Sequence, residues 1–153
     1  KKDFQAAELM SYGRMTKGLK DILDGARYDI FTSKLKMPSK LGEGPDKNHS
    51  FHQNIEAGKD MWLSTYFMAN LIEQPKALEF DSNLLKAQAI GTVKSLTRSN
   101  RSVVMIAFDG KTSDSEADTK EFFAKVSEIL NLNLPYASSP MTREKKESIN
   151  LQN

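Results

Sequence analysis

The sequence predicts an all-α fold, a compact bundle of four to five helices. Two observations lead to this prediction. Apolar residues recur every three to four positions over most of the chain, which is the period of a helix buried on one side. The 153 residues correspond to about one domain, and 39% hydrophobic with 27% charged residues is an ordinary globular balance. We therefore expect a single helical domain over residues 1–153.

The first predicted element is a long helix, or two in succession, over residues 3–34. Its apolar side chains fall within an arc of about 100°, and Glu8 falls in the same arc. The stripe consists of Phe4, Tyr12, Met15, Leu19, Ile22, Leu23, Ala26 and Ile30. Residues 35–50, "LKMPSKLGEGPDKNHS", contain two prolines and two glycines and show no period, so we expect a long loop there.

Three further helices complete the predicted bundle. The helix at 51–73 is apolar nearly all round in its second half, which is typical of a central helix. A helix at 83–97 begins after Asp81 or Ser82, either of which can cap it. A helix at 115–131 begins with a capping box formed by Ser113 and Glu116. Residues 132–153 are expected to form a polar C-terminal tail.

The segment "SVVMIAFDG", residues 102–110, fits a buried helix or a buried strand equally well by period. We favour a helix, because the sequence offers no second convincing strand with which a strand here could pair. The alternative is an α+β fold with a strand at 103–108.

Composition excludes several classes of function. The chain has no cysteine, which excludes disulfides and thiolate chemistry, and its net charge is only +2. The basic clusters are short and carry no interleaved aromatic residues, so nucleic acid is an unlikely partner. The longest apolar stretch, residues 61–72, is too short to span a membrane. The first residue is not Met, which predicts an exported (periplasmic or secreted) mature chain or, as the alternative, a domain excised from a cytoplasmic protein.

Both histidines lie in "KNHSFHQNIEAGKD", residues 47–60. On a helix, His49, His52, Glu56 and Asp60 fall on one side, with the spacing that lets imidazole and carboxylate groups share a metal ion. This row is the candidate metal or small-ligand site on which the second hypothesis below depends. The alternative is a solvated helix face with ordinary surface ion pairs.

No motif of catalytic strength is visible, so no catalytic residue and no cofactor other than a metal is predicted. We expect a non-enzymatic module that binds a protein partner through the long loop and its surroundings, with Lys36, Met37, Lys40, His49 and His52 as contacts. A small ligand or metal bound at the histidine row is the second hypothesis. A divalent-metal hydrolase using Asp109 at a strand end is the third, and it requires a parallel sheet.

Overall fold

The chain folds as an α/β domain in which strands and helices alternate. A computed structural model describes residues 3–45, 48–71, 81–111 and 114–131, without the side chains of residues 48, 49, 70 and 71. The elements are β1 Ala6–Tyr12, α1 Lys17–Ala26, β2 Ser39–Gly44, α2 Gln53–Ala57, β3 Trp62–Leu71, α3 Ser82–Arg98, β4 Ser102–Lys111 and α4 Ser115–Leu130. Two π-helical segments, Arg27–Lys34 after α1 and Asn48–His52 before α2, extend these helices.

The four strands form one parallel sheet in the order β2-β1-β3-β4. The prediction of an all-α bundle of four to five helices is therefore wrong, and the single domain over 1–153 stays a prediction. Two of the strands, β1 and β3, are covered on both faces, so both sets of their side chains are apolar or buried. Such strands show no alternation of apolar and polar residues, and period alone does not distinguish them from buried helices.

The predicted loop at 35–50 contains β2 in its middle, and Asn48 begins the π-helical segment. Glycine-rich "SKLGEG" carries no strand signal of its own, and pairing with β1 holds it in the sheet. The strand considered as an alternative at 103–108 lies within β4, but it belongs to a parallel α/β sheet rather than to an α+β fold. Ser113 and the tail at 132–153 lie outside the described residues.

The helices cover the sheet from both sides. On one face, α1 and α4 bury an apolar core with β1, β3 and β4, formed around Leu9, Leu23, Phe67, Phe108 and Phe123. On the other face, α2 and α3 pack on Met10, Tyr12, Tyr66 and Met68 of β1 and β3. We call these the α1/α4 face and the α2/α3 face. None of the described helices is long and apolar enough to cross a membrane.

Candidate functional site

A cluster of polar side chains is buried on the α2/α3 face. Glu8 of β1 is only 1% exposed, and its Oε1 accepts a hydrogen bond of 2.8 Å from the Tyr66 hydroxyl. His52, also buried, places its Nε2 3.5 Å from Glu8 Oε2. Ser64 lies beside Glu8 in the register of β1 and β3 and is fully buried. We call Glu8, His52, Ser64 and Tyr66 the polar cluster.

Two parts of the chain assemble the polar cluster. The sheet holds three members at fixed spacing, because residues at alternate positions of neighbouring strands share a face. The π-helical segment Asn48–His52 brings the fourth member, His52, whose ring centre lies 5.5 Å from that of Tyr66 in an edge-on arrangement. The Tyr12 ring packs edge-on against Tyr66 from the other side.

Burial governs the protonation of the polar cluster. Desolvation, with the negative charge and the hydrogen bond of Glu8, raises the pKa of Tyr66 above its ordinary value. The phenol therefore stays protonated and acts as a donor to Glu8. All four side chains are buried, and the contact between His52 and Glu8 joins the π-helical segment before α2 to the sheet.

The predicted metal row does not lie along one helix face. The helix α2 is only Gln53–Ala57 and ends at Gly58, so Asp60 follows the helix instead of continuing the row. His52 points toward Glu8. Glu56 instead faces α3, where its Oε1 accepts hydrogen bonds from Ser95 (2.5 Å) and from Ser99 (3.2 Å), the residue after the helix.

Within the described part of the chain, no three His, Cys, Asp or Glu side chains come close enough together to hold a metal ion. The side chain of His49 is outside that part. A metal bound by His49, His52, Glu56 and Asp60 therefore stays a prediction.

The residues predicted to contact a partner do not form one exposed surface. Lys36 is exposed and has a positive φ of 56°. Met37 is buried in the core of the α1/α4 face, and His52 is buried in the polar cluster. Lys40 extends from β2 over the ring of Phe51, with 3.6 Å from its Nζ to the ring centroid. His49 lies outside the described side chains.

The carboxyl ends of the strands are the usual place for a ligand in an open α/β sheet, at the point where the strand order reverses. Here that point lies between β1 and β3, next to the first turn of α1. Thr16 caps α1 by accepting from the Leu19 amide, and its hydroxyl donates to Glu116 of α4. A Cβ on Gly18 would overlap the Glu116 carboxylate.

A second carboxylate lies at the same turn, because Glu43 Oε1 accepts from the Met15 amide. The protein's own acidic groups thus occupy donors that a bound anion would use. For this reason we do not assign an anion site to the first turn of α1.

The alternative site at Asp109 has the parallel sheet that it requires. Asp109 lies near the carboxyl end of β4 and is exposed, but β4 is the outermost strand, away from the reversal of strand order. The neighbouring Asp114 accepts from the Lys111 amide. In the part of the chain that the structure describes, Asp109 is not joined by two further His, Cys, Asp or Glu side chains in a group that could hold a metal ion, and the hydrolase stays a prediction.

The free edge of β4 is the feature that sequence reasoning missed. In the described residues β4 pairs only with β3, and no other described strand lies along the outer side of this ten-residue strand. Seven consecutive residues, Ser102–Phe108, carry no charge and no proline. The uncharged run can be read from the sequence, but it indicates a binding edge only because β4 is an outermost strand of the described sheet.

Comparison with known proteins supports the fold and leaves the function open. No family model and no curated protein sequence matches the chain. Among solved structures, the chain is similar to a hypothetical protein, TT0462, from Thermus thermophilus, with a TM-score of 0.55 and 14% sequence identity. The match covers 97% of this chain and 41% of that protein, so this chain spans less than half the length of its structural neighbour.

Proposed function

We propose that this chain is a protein-interaction domain that binds an extended segment of a partner along the free edge of β4. The observation that carries the proposal is the character of this edge: a ten-residue strand, uncharged from Ser102 to Phe108 and partly exposed, whose outer side pairs with no other described strand. Such an edge presents a row of backbone donors and acceptors that an added strand satisfies.

The opposite edge of the same sheet provides the comparison. β2 is short, six residues, and contains two glycines, Lys40 and Glu43. Short edge strands with charged residues are the usual protection against unwanted pairing. β4 is longer, and its charged residues, Asp109 and Lys111, lie only at its carboxyl end, so the run from Ser102 to Phe108 lacks the protection that β2 has.

Side chains next to β4 add an apolar border to the open edge. Val104 is 48% exposed and points to the α1/α4 face, as Ile106 and Phe108 do. Ile129, in the last turn of α4, is 80% exposed. Val126 and Leu130 of α4 pack in the same core as Ile106, so the last turns of α4 lie on the face to which Val104 points.

The contact between α4 and α1 indicates which side of α4 faces away from α1. Glu116 touches the start of α1, and on a helix of 100° per residue Ile129 lies about 140° away from it. The side that carries Ile129 therefore faces away from α1, toward the β4 edge of the sheet. An added strand could cover this border while pairing with β4.

A strand probe tests the proposal directly. The probe is a fluorescent peptide with the sequence of residues 101–109 on a polar linker, titrated with dilute protein and followed by anisotropy. We expect saturable binding by the unmodified chain. A charge introduced on the edge opposes strand addition, so Val104→Lys should weaken binding by about tenfold or more.

Two controls make the result specific. Ile90→Lys introduces the same charge at a similarly exposed position (41%) on the outer surface of α3, and it should leave binding unchanged. A peptide of scrambled sequence should bind far more weakly. Equal binding of the two peptides, or an equal effect of the two lysine substitutions, would contradict the proposal.

A further inference from the structure

We infer that the segment bound at the β4 edge is β4 of a second copy of this chain, paired antiparallel across a two-fold axis. The inference rests on the proposed function and names its partner. Two sheets joined in this way form one continuous eight-stranded sheet, and the contact closes with two copies because the same edge is used by both.

The sequence of β4 is self-complementary in one antiparallel register. With Met105 opposite itself, Val104 lies opposite Ile106 of the partner subunit, and Val103 lies opposite Ala107 of the partner subunit. Opposed residues in an antiparallel pair point to the same face. This register therefore places apolar side chains together on both faces, and no charged residue falls between Ser102 and Phe108.

The ends of the strand carry opposite charges. In the same register Arg101 lies opposite Asp109 of the partner subunit, and the two-fold axis creates this pair twice. Arg101 directs Nε and Nη2 to the carbonyl oxygen of Glu56, at 3.1 and 2.8 Å, which leaves its charge and its other donors for a carboxylate. Asp109 is exposed. A shift of register separates these charges and loses both pairs.

The helices next to the edge fit the same arrangement. A two-fold axis perpendicular to the sheet puts the α4 helices of both copies on one face, running antiparallel. The exposed side chain of Ile129 then gains a neighbour across the axis. One strand and one helix side make a small interface, so we expect a dimer whose population rises with protein concentration.

Sedimentation velocity over a concentration series provides the first test. We expect the unmodified chain to pass from monomer to dimer, with no larger species. Val104→Lys should shift the transition to a concentration about tenfold higher or more, and Ile90→Lys should not shift it. A chain that stays monomeric at every concentration, or forms an open-ended series of oligomers, overturns the inference.

Charge exchange tests the register. Asp109→Arg and Arg101→Asp should each self-associate poorly, because like charges then face each other twice across the axis. Mixed in equal amounts, the two variants should form a heterodimer, since both pairs become complementary. Failure of the mixture to associate, while each variant has the circular dichroism spectrum of the unmodified chain, overturns this register.

Arg101→Asp also removes the hydrogen bonds to Glu56 and could prevent folding. Two substitutions of Asp109 therefore test the same charge pair without changing Arg101. Asp109→Arg should dimerise more weakly than Asp109→Asn, because the first introduces repulsion and the second only removes attraction. Equal self-association of these two variants contradicts the Arg101–Asp109 pair.

The two proposals fail in different ways. If the strand peptide binds and the chain stays monomeric, the interaction function stands and the partner is another protein. If neither the peptide nor a second copy binds, both proposals fall. If a dimer forms that Val104→Lys does not weaken, the copies associate elsewhere and the inference about β4 is wrong.

Discussion

The two faces of the sheet are filled by different kinds of side chain. The α1/α4 face is an apolar core in which the Phe67 ring contacts those of Phe108, Phe122 and Phe123. The α2/α3 face buries Glu8 and its hydrogen-bond partner Tyr66 among apolar residues. The first face is stabilised by burial and close packing, whereas the second depends on each polar group having a partner.

This difference between the two faces indicates which buried residues tolerate substitution. An apolar core accepts other apolar side chains of similar volume, but a half-satisfied polar cluster is worse than an apolar one. The four predictions that follow test this contrast, and they are arranged by the size of the expected effect.

The largest effect is expected on the apolar face. Phe67→Ala removes a ring that is almost fully buried and contacts three other aromatic rings, so it should lower the free energy of unfolding by about 3–5 kcal/mol. Urea denaturation followed by circular dichroism measures the loss. Phe67→Leu is the matched control and should cost much less, because it keeps most of the buried volume. A loss below about 1 kcal/mol in the alanine variant would mean that this face is loosely packed.

On the polar face, the expected effect depends on which partner is removed. Glu8→Leu leaves the buried Tyr66 hydroxyl without its acceptor and should cost about 1–3 kcal/mol. Combining Glu8→Leu with Tyr66→Phe removes donor and acceptor together, and this double variant should recover most of the loss. The measurement is a double-mutant cycle in urea. Strict additivity of the two single substitutions would show that Glu8 and Tyr66 are not coupled.

Alkaline pH should destabilise the domain through Tyr66. The raised pKa keeps this phenol protonated in the folded chain, while in the unfolded chain it ionises near pH 10. The stabilisation is fully present below pH 10 and is lost as the pH rises further, because the unfolded chain then binds fewer protons. The slope is about 1.4 kcal/mol per pH unit.

The comparison with Tyr66→Phe isolates this effect. Unfolding free energies measured at several pH values above about 10 should fall less steeply for Tyr66→Phe than for the unmodified chain. Tyr28→Phe, at an exposed position, should keep the original slope. Identical slopes for the unmodified chain and Tyr66→Phe would contradict the assignment.

The smallest effects are expected at the helix caps, one on each face. Asp81 accepts a 2.7 Å hydrogen bond from the Leu84 amide at the start of α3, and Asp81→Ala should cost about 1 kcal/mol. Thr16→Ala should cost more, up to about 2 kcal/mol, because Thr16 caps α1 and also donates to Glu116. Thermal unfolding of both variants gives the order, and a reversed order would show that the contact between Thr16 and Glu116 adds nothing.

Part of this fold could be predicted from the sequence. The helices at 83–97 and 115–131 agree closely with α3 and α4, and Asp81 caps α3 as one of the two residues proposed. These helices have one face in water, so their apolar period is visible. β1 and β3 are buried on both faces and have no such period, and the pairing that defines β2 is not a local property.

Local sequence spacing does not reveal the polar cluster. Glu8 is a charged residue in an apolar arc, and spacing alone joins His52 to Glu56 and Asp60. The partners of His52 come from strands that are distant in sequence. Only the strand order, which no short pattern encodes, brings Glu8 and Tyr66 to the same place.

The contact between Thr16 and Glu116 links residues 100 positions apart. The start of α1 is thus completed by α4, and a nascent chain that has not yet produced α4 leaves the aromatic side of β3 open to water. During synthesis this open surface is the part most exposed to wrong association, and chaperones recognise surfaces of that kind. The α1/α4 face is complete only once α4 has been synthesised.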